Sequence, residues 1–564
     1  MLLMFTTVQS SRILLISLLL RHGLSALCHH PRLQSMRTSL FRRKLHLNSN
    51  RNRNLHSSLG VTRTTGPIST RHSSNGMASE VCLQINEQRL DELQRDKHQL
   101  RNGALHLIFL VHGYMGNPNE LCYLQTALER QLLSRLVTSD QDPNDNHHHH
   151  QPYKLLSHSV VANNGKTYDG IAAGGMRVAQ EVNEIIDKIV QIYDNNKESE
   201  NTPHLNPLDN NVTTPPTITL SFVGHSLGGL YARYALKFID ALNPPDDVDT
   251  TSNSEGKRSV HILPKVFCTT ATPHLGTTRN TYLYVPRPIE WFISQVMLST
   301  GRDLFRTSSP DVIQDMAVEP EFVRPLQAFE TRLLYANAFA TDFQVPTATA
   351  AFLADIDSIH RFQMCGTIAA TTFDEHVNPV ADSKEGSEND FSVLVVETPY
   401  QPVARAPIEH SDEHNEEEQS PKKVSKVYLD NSELARRLDA MGWTKVFCDV
   451  RPHLWSISNP FAKLIPFSSP APEKPASFAL LETTPSLDSV DETMTARSSP
   501  TASSFTSSQL LMAVGRPQGG AWHAPTAHTV LVANSKNEQY AKWNAAGRPI
   551  MDQLARDLIK KIVN

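Results

Sequence analysis

Long apolar runs are missing from this 564-residue sequence. None reaches the roughly 18–20 residues that a membrane-spanning helix requires. Hydrophobic residues make up only 39% of the chain and prolines number 35, so the apolar share is below that of an ordinary globular protein. We therefore expect one large folded domain of roughly 250–350 residues with disordered inserts, instead of several packed domains.

Paired cysteines and an excess of positive charge are also absent. The six cysteines lie far apart without a Cys-x-x-Cys spacing, which argues against a zinc site or a redox pair. The formal net charge of −5 favours no polyanionic partner, so nucleic acid is not expected as a partner. Four successive histidines, 147–150, are better explained as a solvated low-complexity insert than as a metal-binding tract. We expect no metal and no other cofactor, and the sequence contains no signal for the oligomeric state.

Acidic residues are missing from the first 79 positions, where arginine, serine, threonine and asparagine are frequent. This composition is typical of an organelle transit peptide, for a mitochondrion or a plastid. Two alternatives stay open. One is a secretory signal, since Ile13–Leu20 is a short apolar stretch followed by small residues; the other is a misassigned start, since Met77 begins a segment of ordinary composition. In each case this segment lies outside the fold.

Strand and helix patterns alternate along the middle of the chain. Leu105–Val111 (LHLIFLV) and Thr217–Val223 (TITLSFV) are nearly continuous apolar runs, as expected of buried parallel strands. The further predicted strands are 154–161, 260–270, 332–338 and 443–450, and the predicted helices are 117–136, 171–193, 227–242 and about 547 onward. This alternation predicts an α/β fold with a mostly parallel, doubly wound sheet that has helices on both faces.

Two polar stretches interrupt this pattern, and they set the predicted organisation. Residues 382–426 are acidic and rich in proline, and the segment after 456 is rich in proline, serine and threonine, so both are expected to be disordered. The predicted segments are 1–78 (targeting or disordered), 80–375 (first part of the catalytic domain, with a helical cap at about 277–325), 382–426 (insert), 430–455 (late strand), 456–520 (insert) and 521–564 (last histidine region and final helix).

A Gly-x-Ser-x-Gly sequence follows the strand at Thr217–Val223 and precedes a helical pattern. Its serine is Ser226, flanked by Gly224 and Gly228. A strand before this motif and a helix after it are the context of a nucleophile elbow, in which the serine lies on a strained turn. The alternative is an ordinary glycine turn. We interpret Ser226 as the nucleophile of an acyl-transfer reaction.

Such a serine needs two amide donors for the oxyanion that forms during attack. In this arrangement one donor is the amide of the residue after the serine, here Leu227. The other comes from the loop after an earlier strand, which His112–Gly116 supplies. The predicted second donor is the amide of Tyr114, with Met115 as the alternative. Taken alone, His112 has a core histidine as its alternative, but the His-Gly pair at a strand end joins two independent signals for this loop.

The acid and the histidine are expected later in the chain, in that order. Asp342 follows the predicted strand 332–338 and is the preferred acid, with Asp303, Asp355 and Asp357 as alternatives. The preferred histidine is His528, which begins an apolar run near the end of the chain. The two alternative histidines are His523 and His453.

Seven segments together resemble the putative serine esterase family of lipase-like α/β hydrolases. They are His112-Gly113 with Gly116-Asn117, residues 164–181 (N-x-x-T-x-D-G-I-x-x-x-G-x-R-x-x-x-E), Gly224–Gly229 with Leu230, Tyr231 and Arg233, Ala271–Gly276 (ATPHLG), Gly301–Phe305 (GRDLF), Tyr335–Asn337 with Asp342 and Val345-Pro346, and Ala527-His528. The similarity covers about 105–348 well and the last third of the chain sparsely.

The resemblance implies an α/β-hydrolase fold and an esterase or lipase that acts on acyl esters, in particular those of lipids, without a metal. A lipid substrate also implies contact with a membrane surface. Further residues expected around the pocket are His112, Gly113, His225 and His274. Two other functions stay open: acyl transfer or thioester cleavage by the same triad, and a hydrolase fold used only for binding or trafficking.

Overall fold

The computed structural model describes residues 86–95, 105–139, 154–198, 217–243, 260–277, 287–342, 344–353, 359–368, 372–373, 379–380, 391–401, 428–451, 503–506, 509–510, 514 and 526–563. Several predictions fall outside these residues: the targeting segment, the histidine run at 147–150, the alternative acids Asp355 and Asp357, and the alternative histidines His453 and His523.

The sheet has nine strands, and six of them form a continuous parallel run. In chain order the strands are β1 Leu105–Val111, β2 Lys154–Ser159, β3 Thr217–His225, β4 His261–Thr270, β5 Thr331–Asn337, β6 Ile359–Ile368, β7 Thr372–Phe373, β8 Pro379–Val380, β9 Phe391–Glu397, β10 Thr444–Asp449 and β11 Ser503–Thr506. Their order in the large sheet is β11-β6-β9-β10-β5-β4-β3-β1-β2, while β7 and β8 pair separately. The run from β2 to β10 is parallel, and β9, β6 and β11 continue it with antiparallel pairings. The predicted α/β fold with a mostly parallel sheet is confirmed.

Helices cover both faces of this sheet. The helices are residues 86–95, Cys122–Ser139, Ile171–Glu198, Leu227–Ala235, Arg287–Val296, Leu298–Leu304, Val312–Val318, Pro320–Gln327, Thr347–Ala350, Asn431–Asp439, Ala527–Val530, Glu538–Trp543 and Arg548–Val563. Among these described residues, no helix combines the length and the apolar character needed to span a bilayer.

Strand β1 shows how the sequence produces the two covered faces. All seven of its side chains are buried, so the strand reads as a continuous apolar run. Phe109 lies in the core shared with the helix Ile171–Glu198, whereas Ile108 lies in the core shared with the helices Cys122–Ser139 and Arg548–Val563. Because successive side chains of a strand point to opposite faces, this strand anchors both layers of helices.

The antiparallel part of the sheet corrects two predictions of disorder. Strand β9 lies inside the predicted insert 382–426, and β11 lies inside the predicted insert 456–520. The prediction is wrong at these residues because composition was averaged over long polar stretches. The apolar run FSVLVVE of β9 is short, and it is stabilised by pairing with β10 and β6 on either side.

Candidate active site

Ser226 occupies a strained turn between β3 and the helix Leu227–Ala235. Its backbone has φ 54° and ψ −127°, a combination that L-residues rarely adopt and that costs of order 1–3 kcal/mol. The amide of Ser226 donates to the carbonyl of Thr270 on β4 (2.8 Å), which fixes the turn at the carboxyl end of the sheet. The side chain is therefore held at the N-terminus of a helix, where backbone amides favour negative charge.

Two glycines allow this turn to pack closely. A Cβ on Gly224 would overlap the backbone of Gly229, and a Cβ on Gly228 would overlap the carbonyl of Val111 at the end of β1. Gly228 therefore serves the approach of the helix to β1, whereas Gly224 serves the turn itself. The turn needs both residues to be glycine because backbone atoms, which cannot move aside, occupy the space of a side chain.

Asp342 and His528 lie 186 positions apart in the chain and form a direct hydrogen bond, with 2.8 Å between Asp342 Oδ2 and His528 Nδ1. Both side chains are buried. Burial opposes the protonation of His528, but the adjacent carboxylate of Asp342 outweighs burial and raises the pKa of His528 above its usual value. This bond orients the imidazole, and it favours the tautomer with its proton on Nδ1.

The loop after β5 supplies Asp342 with further donors. Its Oδ1 accepts from the amides of Gln344 (2.8 Å) and Val345 (2.9 Å), and its Oδ2 also accepts from Asn337 Nδ2 (2.9 Å). Burial disfavours ionisation, yet the charge of His528 and these hydrogen bonds lower the pKa of Asp342. The carboxylate is thus ionised and fixed in orientation.

His225 connects Ser226 to the pair formed by Asp342 and His528. It directly precedes Ser226, and its ring lies against the ring of His528 with 4.6 Å between the centroids. Its Nδ1 lies 3.1 Å from the carbonyl oxygen of Thr270. Burial and the neighbouring His528 lower the pKa of His225 to about 4, so this ring is neutral at physiological pH. The structure therefore brings Ser226, His528 and Asp342 to one end of the sheet.

The loop His112–Gly116, called the oxyanion loop below after the role predicted for it, lies directly against the turn that carries Ser226. A Cβ on Gly113 would lie 2.8 Å from Ser226 Cβ, so only glycine fits there without displacement of the serine. The amide of Met115 donates to Thr167 Oγ1 (3.0 Å), so the alternative second donor is already engaged. The loop therefore lies next to Ser226 at the carboxyl end of β1, and its role as an oxyanion donor stays a prediction.

The other predicted pocket residues have different surroundings. His112, the first residue of the oxyanion loop, is buried, and burial lowers its pKa. His274 packs in the core against Phe352 and Trp443, with its Nε2 3.0 Å from Thr269 Oγ1. These contacts identify His274 as a core histidine.

The alternative acid Asp303 caps a helix. Its Oδ2 accepts from the amide of Ile171 (2.8 Å), the first residue of the helix Ile171–Glu198. The nearby Thr300 accepts from the amide of Gly170 (3.0 Å). Two of the segments that carry the family resemblance, D-G-I and G-R-D-L-F, are therefore in contact with each other. Asp303 serves this contact, whereas Asp342 forms a hydrogen bond with a candidate histidine, His528.

Sequence reasoning missed Glu120 and Asn534. Glu120 is buried in the turn Pro118–Leu121 and accepts from the amide of Gly113 (2.7 Å) and from Asn534 Nδ2 (2.6 Å). An acidic residue at the start of a helix is usually a solvated first-turn residue, so the sequence carried no signal of burial here. Among the described residues, no three His, Cys, Asp or Glu side chains are placed to bind a metal ion.

Part of the chain is similar in sequence to a known protein family. The model of the family described as putative serine esterase (DUF676) matches residues 101–353, which confirms the resemblance over that range. The matched range contains Ser226, the oxyanion loop and Asp342, and it ends before His528.

Two curated fungal proteins are similar to part of this chain. "Putative lipase YDR444W" of Saccharomyces cerevisiae is 26% identical over 279 residues, which is 46% of this chain and 34% of that protein. "Putative lipase C4A8.10" of Schizosaccharomyces pombe is 26% identical over 174 residues, which is 29% of this chain and 20% of that protein. The match thus spans about a third and a fifth of their lengths.

Among solved structures, a lipase-esterase related protein from Clostridium acetobutylicum is 12% identical to this chain. The match covers 41% of this chain and 73% of that protein, with a TM-score of 0.14.

Proposed function

We propose that this protein is a serine hydrolase that cleaves acyl esters. The observation that carries the proposal is the buried hydrogen bond between Asp342 and His528, with the His528 ring against the residue that precedes Ser226. Serine, acid and histidine follow in this chain order in α/β hydrolases. The family match and the names of the two fungal relatives support the same chemistry.

The proposed mechanism uses His528 twice. As Ser226 Oγ attacks the ester carbonyl carbon, His528 takes the hydroxyl proton and Asp342 stabilises the resulting imidazolium. The amides of Leu227 and Tyr114 bind the oxyanion of the tetrahedral intermediate. Collapse breaks the bond to the alcohol, which receives the proton from His528. Water, deprotonated by His528, then attacks the acyl-enzyme carbonyl carbon. The bond to Ser226 Oγ breaks, the acid is released, and His528 returns the proton to Ser226 Oγ.

Lipid esters are the substrate class we propose. The helices between Arg287 and Leu304 expose several large apolar side chains, which are Trp291, Phe292, Val296 and Leu298. Met115 of the oxyanion loop is 48% exposed, so apolar surface also lies next to the elbow. Such surface suits an acyl chain, and contact with a membrane surface is part of this proposal.

The proposal is tested with p-nitrophenyl esters of increasing acyl length and a fluorophosphonate. We expect hydrolysis with a burst of p-nitrophenol, because an acyl-enzyme accumulates. The fluorophosphonate should inactivate the protein with one label per chain, located by mass spectrometry on Ser226. Added alcohols, tested as acceptors, separate hydrolysis from acyl transfer. A folded protein that shows neither turnover nor labelling would contradict the proposal.

The pH dependence of kcat/KM follows from the pKa of His528. The base must be neutral in the free enzyme. Burial lowers the pKa of His528, but Asp342 and Glu120 outweigh burial and raise this pKa above its usual value. We therefore expect kcat/KM to fall as the pH drops through a single ionisation, with a midpoint above the usual pKa of a histidine. The neighbouring His225, with a pKa of about 4, stays neutral across this range. A kcat/KM that does not fall at acid pH with a non-ionisable ester would contradict the assignment.

A further inference from the structure

Both carboxylate oxygens of the buried Glu120 accept hydrogen bonds. One oxygen accepts from the amide of Gly113 in the oxyanion loop (2.7 Å), and the other accepts from Asn534 Nδ2 (2.6 Å), 414 positions later. The carbonyl of Glu120 also accepts from the amide of Ser535 (3.2 Å). An ionised carboxylate has acceptor sites only, which suits two donors that approach from opposite sides.

Each donor leads directly to a group of the proposed mechanism. Gly113 is packed between Glu120 and Ser226, and it precedes the proposed oxyanion donor Tyr114. On the other side, the amide of Asn534 donates to the carbonyl of Thr529 (3.0 Å), the neighbour of His528. A continuous path of hydrogen bonds and backbone therefore joins the oxyanion loop to the general base.

Further hydrogen bonds hold the C-terminal segment next to the turn that contains Glu120. Asn117 Nδ2 donates to the carbonyl of Lys536 (3.2 Å), and the amide of Tyr123 donates to Ser535 Oγ (3.3 Å). The C-terminal segment 534–536 thus lies along the turn that contains Glu120. The short helix Ala527–Val530 is also tied to the catalytic end through Asp342 and Asn337.

We infer that Glu120 is a positioning residue whose carboxylate fixes the oxyanion loop and the segment that carries His528 relative to each other. This role rests on the proposed esterase function. It is also the second negative charge near His528, after Asp342. The charged or titratable groups around Glu120 are His112 from the oxyanion loop, His225 from β3, Lys536 from the C-terminal segment and His528. Burial opposes the ionisation of Glu120, but His225, His112 and the Gly113 amide hold its pKa below the usual value.

The test compares Glu120→Gln with a matched control, Asp552→Asn. Asp552 is also buried, and it binds Tyr123 (3.0 Å) and Arg130 (3.1 Å) on the helix that begins just after Glu120. Glu120→Gln keeps the volume, but its amide nitrogen must face one of the two donors. We expect kcat to fall roughly 10²-fold with KM within about twofold, because misplacement of reacting groups lowers kcat. Asp552→Asn should lose thermal stability without this change in kcat.

Two further variants separate charge from tethering. The acid limb is the part of the pH profile in which kcat/KM falls at low pH. Loss of the Glu120 charge should move this limb to lower pH, because the charge no longer stabilises the His528 imidazolium. Glu120→Asp keeps the charge and should restore the position of that limb, although its shorter side chain leaves kcat reduced. Asn534→Ala keeps the charge and releases the segment, so kcat should fall with the limb unmoved. If Glu120→Gln and Asp552→Asn change kcat, KM and the limb alike, the inference is overturned.

An NMR titration of His528 gives a readout that does not depend on catalysis. The resonance is assigned by comparison with His528→Gln, and its midpoint should lie lower in Glu120→Gln than in the wild type. An unchanged midpoint would overturn the electrostatic part of the inference even in an active enzyme. If the wild type hydrolyses no ester but the midpoint shifts, the proposed function fails and the coupling between Glu120 and His528 stands.

Discussion

Replacement of Ser226 by alanine is expected to lower kcat for ester hydrolysis by roughly 10⁶-fold and to abolish fluorophosphonate labelling. Alanine removes the oxygen that forms the acyl-enzyme, so only binding and oxyanion stabilisation remain to assist water. The turn itself should persist, because the bond from the amide of residue 226 to Thr270 does not involve the side chain. Rates from stopped assays check the loss of kcat, and intact-mass measurements check the loss of labelling.

Ser221 provides the matched control for this experiment. It lies five positions earlier on β3, it is also buried, and its hydroxyl accepts from the amide of Val266 (3.2 Å). Ser221→Ala should cost about 1 kcal/mol of stability through that unpaired amide and should keep labelling and kcat. If labelling survives in Ser226→Ala and disappears in Ser221→Ala, Ser226 is not the nucleophile.

The parallel part of the fold could be predicted because each of its strands carries its own signal. The run LHLIFLV of β1 is apolar at every position, as buried parallel strands are, and its predicted bounds agree with the structure. Strand β9 carries a similar run, FSVLVVE, but it lies within a long acidic stretch. Its order comes from pairing with β10 and β6, which are distant in sequence, so local composition predicted the opposite.

The candidate site divides in the same way. Ser226 and the oxyanion loop follow from local patterns, namely a glycine-flanked serine between strand and helix and a His-Gly pair after a strand. Asp342 and His528 were proposed from chain order, and the structure brings them within hydrogen-bond distance. Glu120 could not be found in this way, because its burial and its partner Asn534 are set by tertiary docking across most of the chain.

Replacement of His528 by alanine is expected to lower kcat nearly as much as the loss of Ser226, by roughly 10⁶-fold, since a serine hydroxyl attacks poorly without a base. The fold should tolerate this change. Asp342 keeps three donors, the amides of Gln344 and Val345 and the side chain of Asn337, so its carboxylate is not left unpaired. Circular dichroism and thermal unfolding of the variant check this point.

The double variant Ser226→Ala with His528→Ala gives the sharpest form of the test. If the two side chains act as one unit, the double variant is no slower than either single variant, because each single change already removes the covalent pathway. Independent roles would multiply the two losses instead. His523→Ala and His453→Ala, made in parallel, should keep activity. A His528→Ala protein with wild-type kcat, together with an inactive His523 or His453 variant, would transfer the role of base to that histidine and leave the bond between Asp342 and His528 as a purely structural contact.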